Sequence, residues 1–360
     1  MAALGLDALA VTSLPNVLYL TNFTGSAAIG VVTADRVYFL TDFRYLTALA
    51  ESSGTAQACP GLDVVTVTGS YDGALADLLA SMPLKRVGFE AADVTVARHK
   101  WLVDTLATRG SVAELAPTEG IVESLRVRKD AHEIETLREA ARRLSQVARR
   151  VIAEVRPGVR EAEFAFTIDS FIHDAGFSRT AFDTIVAGGS NSALPHARSG
   201  ERRLSEGDLV VLDFGGVYRS YCVDLTRTVS LGPASPRARE VYEAVRRAHR
   251  SAIAAVAPGR SRFDIDAAAR RSLVESGLGE AFGHGTGHGL GLEVHENPRI
   301  SQRRPDVDAQ NEAVAPGMVF TIEPGAYLAG WGGVRIEDDV LVTDDGVDVL
   351  TDVTTDLIEI

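Results

Sequence analysis

Cysteine is nearly missing from the chain: Cys59 and Cys222 are the only two among 360 residues. Two thiols cannot build the dense disulfide framework of a small secreted scaffold, so the sequence fits a reducing cytoplasm and argues against thiol chemistry. Lysine is almost as scarce, with Lys85, Lys100 and Lys129 alone beside a large arginine complement, a bias that nothing in the sequence explains physically. Positive charge as a whole is in deficit: 36 Lys and Arg against 49 Asp and Glu leave a formal net charge of -13 at pH 7. That balance excludes nucleic acid and an anionic membrane as expected partners and leaves cations as natural counter-ligands. No apolar run is long enough to cross a bilayer, and no low-complexity tract occurs. The early apolar stretches "LDALAVTSL" and "SAAIGVV" lack a basic segment before them, and Asp7 interrupts the first, so no signal peptide is expected. What remains, 46% hydrophobic and 24% charged residues, is the composition of a soluble globular protein long enough for two domains.

The first 118 or so residues alternate strand-like segments ("DALAVTS", "AAIGVVT", "RVYFLTD") with helix-like ones ("YLTALAES", "GALADLLASM"), which predicts a small α/β domain. A Pro- and Gly-containing stretch then leads into a long amphipathic helix from about residue 130, and the division falls near 120, giving domains 1–120 and 121–360. The second domain is internally duplicated. "VRPGVREAEFAFTIDSFIHDAGF" and "VAPGRSRFDIDAAARRSLVESGL" match at an offset of 101 residues, pairing Gly158 with Gly259 and Gly176 with Gly277. "EGDLVVLDFGG" and "APGMVFTIEPGA" match at an offset of 110, pairing Gly207 with Gly317 and Asp213 with Glu323. Each copy is followed by a second acidic strand, bearing Asp224 in the first and Glu337 in the second.

"GHGTGHGLGLEVHE", residues 283–296, holds three of the eight histidines, with glycine at every second place from Gly283 to Gly291. The i, i+4 spacing of His284 and His288 matches a zinc-binding helix, but each glycine costs a helix roughly 1 kcal/mol relative to alanine. An extended segment fits better and puts His284, Thr286, His288 and Leu290 on one face, leaving the bare face free to lie against something. Four strand residues span about 13 Å, so the two histidines then need different jobs. A glycine-rich surface loop with incidental histidines satisfies the same pattern.

Asp213 is read as closing an apolar strand, "LVVLD", with Asp224 opposite it across a hairpin. Carboxylates crowded at the end of a buried run repel one another and need a proton or a cation between them. Glu323, after "VFTI", and Glu337, in "VRIEDDV", raise the same demand. Two halves related by an approximate two-fold axis would bring these carboxylates together beside an imidazole, an oxygen-rich site suited to two divalent ions, with manganese, cobalt, iron and zinc all compatible with the ligand types. Any one of these acids alone reads as a solvated strand-end residue; in duplicated positions they do not.

"LDFGG...CVDLTRT", "HGTGHGLGLEVHE", "FTIEPGAY" and "GVRIEDD" resemble the motifs of the pita-bread metallopeptidases, in the proline-directed branch of prolidase and aminopeptidase P. "LDALAVTSLPNVLYLTNFTGS" and "TDFRY" resemble the creatinase-type N-terminal domain of that branch. The resemblance covers essentially the whole chain. It implies an α/β (α+β) protein with a small N-terminal domain and a pseudo-two-fold catalytic domain, binding two metals through Asp213, Asp224, His288, Glu323 and Glu337, manganese being favoured over cobalt or zinc. It further implies that His196, His284 and His295 contact substrate or stabilise the intermediate, and that the protein is a homodimer. The implied reaction is hydrolysis of the bond before proline by a metal-activated water, with Glu323 carrying a proton and His295 or His284 offsetting the oxyanion.

Three further residues are candidates with ordinary alternatives. Tyr327 either lines a proline pocket or is a hydrogen-bonded core tyrosine. Arg335, on the strand face of Glu337, pairs with a ligand carboxylate, with substrate, or in a structural salt bridge. Arg44 supplies the fixed cation that a dipeptide carboxylate requires only if the N-terminal domain folds over the site; otherwise it is a surface arginine. Aminopeptidase P activity on longer peptides is the nearest competing function, since the short N-terminal domain leans towards dipeptides. A metal-free creatinase-type relative or silent peptide-binding module is opposed by the complete ligand set, and methionine aminopeptidase by residues 1–118.

Overall fold

The computed structural model describes residues 1–55, 58–304 and 312–360. It divides into two compact units, Met1–Leu125 and Arg126–Ile360. Among the described residues no helix is long and apolar enough to cross a membrane, and both cysteines are free thiols.

The first unit is built on strands β1 (Ala8–Val11), β2 (Ile29–Thr33), β3 (Val37–Asp42), β4 (Leu62–Val67), β5 (Arg86–Glu90) and β6 (Glu114–Thr118), in the order β4-β3-β2-β1-β5-β6. Helices α1 (Leu14–Thr21), α2 (Phe43–Ser52), α3 (Tyr71–Ala80) and α4 (Val96–Thr108) accompany it. Central β1 is apolar throughout because both its faces are covered. Ala8 and Ala10 pack with Leu75, Leu79 and Leu102, while the alternate Leu9 and Val11 pack with Val17 and Phe39. A short helix, α5 (Glu123–Arg126), spans the division between the units.

The second unit opens with α6 (Ala131–Glu154), started by a reciprocal capping box between Asp130 and Glu133. Leu137, Ala141, Leu144, Ala148 and Val151 form its buried stripe. With α7 (Glu161–Asp174) it covers a sheet of β7 (Arg179–Thr180), β8 (Ile185–Gly188), β9 (Leu209–Tyr218) and β10 (Tyr221–Ser230), whose far edge is β18 (Ile358–Glu359). Helices α8 (Pro236–Ala255) and α9 (Arg262–Glu275) share a second core with the other sheet. That sheet runs β12-β11-β13-β16-β17, comprising β11 (Gly287–Gly289), β12 (Glu296–Ile300), β13 (Val319–Ile322), β16 (Asp338–Val342) and β17 (Val347–Val349). A hairpin of β14 (Gly325–Leu328) and β15 (Gly332–Arg335) stands apart.

The duplication is realised in backbone detail. Gly158 and Gly259 both have positive φ (89° and 79°), as do Gly176 and Gly277 (87° and 73°) and Gly207 and Gly317 (86° and 86°), conformations that a side chain would strain. The Gly158 N–H donates to the Leu204 carbonyl as the Gly259 N–H donates to that of Val314.

Three local expectations are corrected. Asp213 does not close its strand, because β9 continues to Tyr218 and the chain reverses only at Arg219 and Ser220, both with positive φ (47° and 73°). Asp213 therefore pairs with Thr226 and Asp224 with Gly215, so the two acids are diagonal neighbours on one face rather than directly opposite. Glu337 lies not within a strand but in the break between β15 and β16, which lets β15 leave the main sheet for its hairpin. Of residues 283–291 only Gly287–Gly289 is strand, with a register shift after His288, and the proposed common face is lost: the Thr286 hydroxyl donates to Asp266 while Leu290 enters the apolar core.

Candidate metal centre

The glycines around His288 have a steric cause. A Cβ on Gly287 would overlap the Thr321 carbonyl, and one on Gly289 would overlap the Asn297 carbonyl. Bare backbone lets β11 sit close between β12 and β13, and the imidazole of His288 is held there by its two neighbours. Its backbone N–H donates to the Thr321 hydroxyl at 3.1 Å, and its Nδ1 lies 3.1 Å from the Gly289 carbonyl. A carbonyl only accepts, so Nδ1 carries the proton and Nε2 presents its lone pair. That lone pair lies 3.5 Å from Glu323 Oε1 and 3.9 Å from Asp224 Oδ2.

Among the described residues, Asp224, His288 and Glu337 offer ligand atoms that all lie within 4.8 Å of one another, and all three residues are buried. Asp213 and Glu323 line the same cavity of about 890 Å³ but stand outside that tight triad. Asp213 is engaged by the Arg335 guanidinium, and Glu323 accepts from the Thr321 hydroxyl at 3.5 Å. Burial first, then repulsion from Glu337 and Asp213, lifts the Asp224 carboxyl well above the usual range. Glu337 is raised in the same direction by burial and by Glu323, against the Thr226 hydroxyl that donates to it at 2.6 Å. Burial and Asp213 together push Glu323 up to about 7, Arg335 opposing them. Burial drives His288 down to about 3. Crowded acids that resist ionisation beside an imidazole that resists protonation ask for a cation. Asp224 Oδ1 is buried without a hydrogen-bond partner in the structure. These residues fit divalent ions of the manganese, cobalt or zinc kind, taking mixed oxygen and nitrogen ligands.

His196, His284 and His295 also line the cavity. The His295 ring stands 4.3 Å from that of His288, centre to centre. Burial lowers His295, and lowers His284 to about 4, so both are neutral imidazoles at pH 7. Tyr327 reaches the site by its hydroxyl, 3.0 Å from His284 Nε2 and 2.8 Å from Arg335 Nη1; its ring is not part of the cavity wall among the described residues. Arg335 is buried and committed to Asp213, Tyr327 and the Pro195 carbonyl. Arg44 belongs to the first unit, where its guanidinium grips Asp42 through Nε at 2.9 Å and Nη2 at 2.7 Å.

Several participants escape sequence reading. The fully buried Thr226 bonds both Glu337 and Arg335, and the Asp339 carboxylate accepts the Asp224 N–H at 3.0 Å. Arg227 holds the Glu337 carbonyl at 2.5 Å and the Asp338 carboxylate at 2.7 Å. Arg198 and Arg299, both exposed, also line the cavity, as does Arg270, whose charge is matched by Asp266. In the sequence each is one arginine, threonine or aspartate among many, and no spacing or motif singles it out.

A duplicated sandwich of helices and sheets enclosing carboxylates and an imidazole defines a metal-dependent hydrolase architecture. The chain belongs to Metallopeptidase family M24, whose profile matches residues 135–344, and it carries a Creatinase/Prolidase N-terminal domain matched over residues 1–128. It is 38% identical to an uncharacterized peptidase, YqhT, of Bacillus subtilis over 358 residues, covering 99% of this chain and 96% of that one. Its structure superposes on the Xaa-Pro dipeptidase from Bacillus anthracis with a TM-score of 0.91 at 36% identity, covering 100% and 96% of the two chains. The X-Pro aminopeptidase from Thermotoga maritima gives 0.87 at 31% identity, with 99% and 98% covered. It is thus a metallopeptidase of the prolidase type.

Proposed function

We propose that this chain hydrolyses the Xaa-Pro bond of dipeptides with two divalent ions, manganese first among them, held by Asp213, Asp224, His288, Glu323 and Glu337. The observation that carries the reading is the buried triad of Asp224, His288 and Glu337 at the wall of a cavity shared with Asp213, Glu323 and three further histidines. Bound there, the ions supply Lewis acidity that polarises the carbonyl before proline and acidifies water. Glu323 takes a proton from the attacking water and returns it to the proline nitrogen. Neutral His295 donates a hydrogen bond to the developing oxyanion, and His284 and His196 contact the substrate. The Xaa-Pro bond has no N–H, so recognition rests on shape and on the chain ends. Arg198 and Arg299 on the rim supply fixed cations for a carboxylate next to proline, which favours dipeptides. The likeness to an X-Pro aminopeptidase over nearly the whole chain supports a second reading, release of the first residue from longer peptides. We place the enzyme in the cytoplasm, consistent with its two free thiols, and take it to act as a homodimer.

The test is an assay of manganese-loaded protein on an Xaa-Pro dipeptide and the same peptide extended by one residue, with a chelated control. Cleavage of the dipeptide alone is expected. Preference for the longer peptide would transfer the assignment to aminopeptidase P, and cleavage of neither would leave a binding module.

A further inference from the structure

Asp266 lies on α9, within the second copy of the duplicated turn-and-helix segment, and is 1% exposed. Its Oδ1 accepts both the Thr286 backbone N–H at 3.1 Å and the Thr286 hydroxyl at 2.9 Å. Arg270, one turn further along, grips the same carboxylate at 2.9 and 3.0 Å and donates to the carbonyls of Phe282 at 3.1 Å and His284 at 2.9 Å. The Phe282 ring lies between, 4.4 Å from the Arg270 guanidinium and 5.0 Å from the His284 ring.

The peptide unit that Asp266 holds joins the Gly285 carbonyl to the Thr286 N–H. It is trans, so its two polar groups point in opposite directions. With the N–H turned to Asp266, the Gly285 carbonyl is turned to His284, where it lies 2.8 Å from Nδ1. Gly285 permits this plane because a Cβ there would come within 2.9 Å of the Ile300 carbonyl. On the other side of the ring, Arg335 donates to the Tyr327 oxygen, leaving the tyrosine's own proton for His284 Nε2 at 3.0 Å.

We propose that Asp266 is a positioning residue that fixes His284 as its Nδ1–H tautomer through this one peptide plane, making Nε2 a hydrogen-bond acceptor towards donors in the substrate cavity. The substrate clause rests on the peptidase reading; the tautomer does not. His284 then receives a hydrogen bond from Tyr327 or from the peptide's amino end, and oxyanion stabilisation falls to His295.

The experiment is a long-range ¹H–¹⁵N spectrum of histidine-labelled, zinc-loaded protein, the His284 ring being assigned by its loss in His284→Gln, with steady-state kinetics alongside. The wild type is expected to show Nδ1 protonated and Nε2 bare. Asp266→Ala should populate the other tautomer and lower kcat about ten- to a hundredfold with KM within about twofold, as loss of an outer partner of a functional imidazole does. Asp266→Asn keeps an oxygen for the Thr286 N–H and should recover the wild-type tautomer and much of the lost turnover. Because Asp266→Ala removes a buried anion and can fail to fold, the wild-type and Asp266→Asn spectra test the idea on their own. An Nε2-protonated His284 in the wild type, or an unchanged tautomer in Asp266→Ala, would overturn it. A protein that shows the Nδ1–H tautomer yet cleaves no Xaa-Pro peptide would sink the peptidase reading and leave the tautomer standing.

Discussion

Replacing Glu296 by glutamine removes one negative charge from a buried cluster without changing its shape. Glu296, the first residue of β12 and the neighbour of His295, has a side chain only 8% exposed. Its Oε1 takes the Lys129 ammonium at 2.7 Å and its Oε2 takes Arg126 at 2.5 Å, with those cations 1% and 3% exposed. Arg126 has a second partner in Glu293 at 2.9 Å, but that acid is 48% exposed. At an effective dielectric of about 20, one such contact near 2.7 Å is worth roughly 6 kcal/mol before desolvation. Loss of one partner from a buried pair costs about 3–5 kcal/mol in practice, because the other charge stays buried and unpaired. Glutamine must also turn its NH₂ towards one of the two cations. For a unit of the size of Arg126–Ile360, roughly 2–4 °C per kcal/mol predicts a fall in Tm of about 6–20 °C by differential scanning calorimetry. Lys129→Met should be costly alone, and the pair Lys129→Met with Glu296→Met should cost less than the sum by about 1 kcal/mol or more. A shift below about 2 °C for Glu296→Gln, or strict additivity in the double variant, would refute the reasoning.

Other consequences can be checked separately. Gly287→Ala drives a Cβ into the Thr321 backbone and should cost about 3 kcal/mol while weakening manganese binding by calorimetry, whereas Gly283→Ala, with nothing within 4 Å, should do neither; equal behaviour would contradict the packing argument. In metal-free protein the Glu323 carboxyl, raised to about 7 from an ordinary 4.5, binds its proton more tightly folded than unfolded, so its contribution is present below about 4.5 and lost as pH rises through about 7. Glu323→Gln should therefore gain stability relative to wild type by about 3 kcal/mol between pH 4.5 and 7, and a pH-independent difference would count against the crowding. Arg299→Ala should weaken dipeptide cleavage far more than tripeptide cleavage, whereas Arg44→Ala, its guanidinium committed to Asp42, should change the two alike; equal losses in Arg299→Ala would remove that arginine from carboxylate binding.

The duplicated half-domains were legible because glycines in left-handed turns leave a mark that survives substitution around them, as the matched φ values of Gly207 and Gly317 show. The clustering of Asp224, His288 and Glu337 followed from that repeat together with the resemblance. Strand ends were less legible. Asp213 looked terminal because "FGGVY" after it reads as a turn, but the glycines are there for close approach: a Cβ on Gly215 would strike the Val223 carbonyl, and one on Gly216 the Phe177 ring. The residues that orient the ligands were silent for another reason. Thr226, Thr321 and Asp266 act through hydrogen bonds to residues far away in sequence, and no periodicity records such a bond.

The triad draws Asp224 from the first copy of the repeat and His288 and Glu337 from the second. Neither copy alone can hold an ion in this way, so an ion seated there works as a clasp between the two halves. At a free concentration a hundredfold above its dissociation constant, such a clasp adds about 2.7 kcal/mol against any opening that parts the halves. Parting of the halves then requires loss of the ion, so metal-free protein should open along its own internal seam more often than the loaded protein.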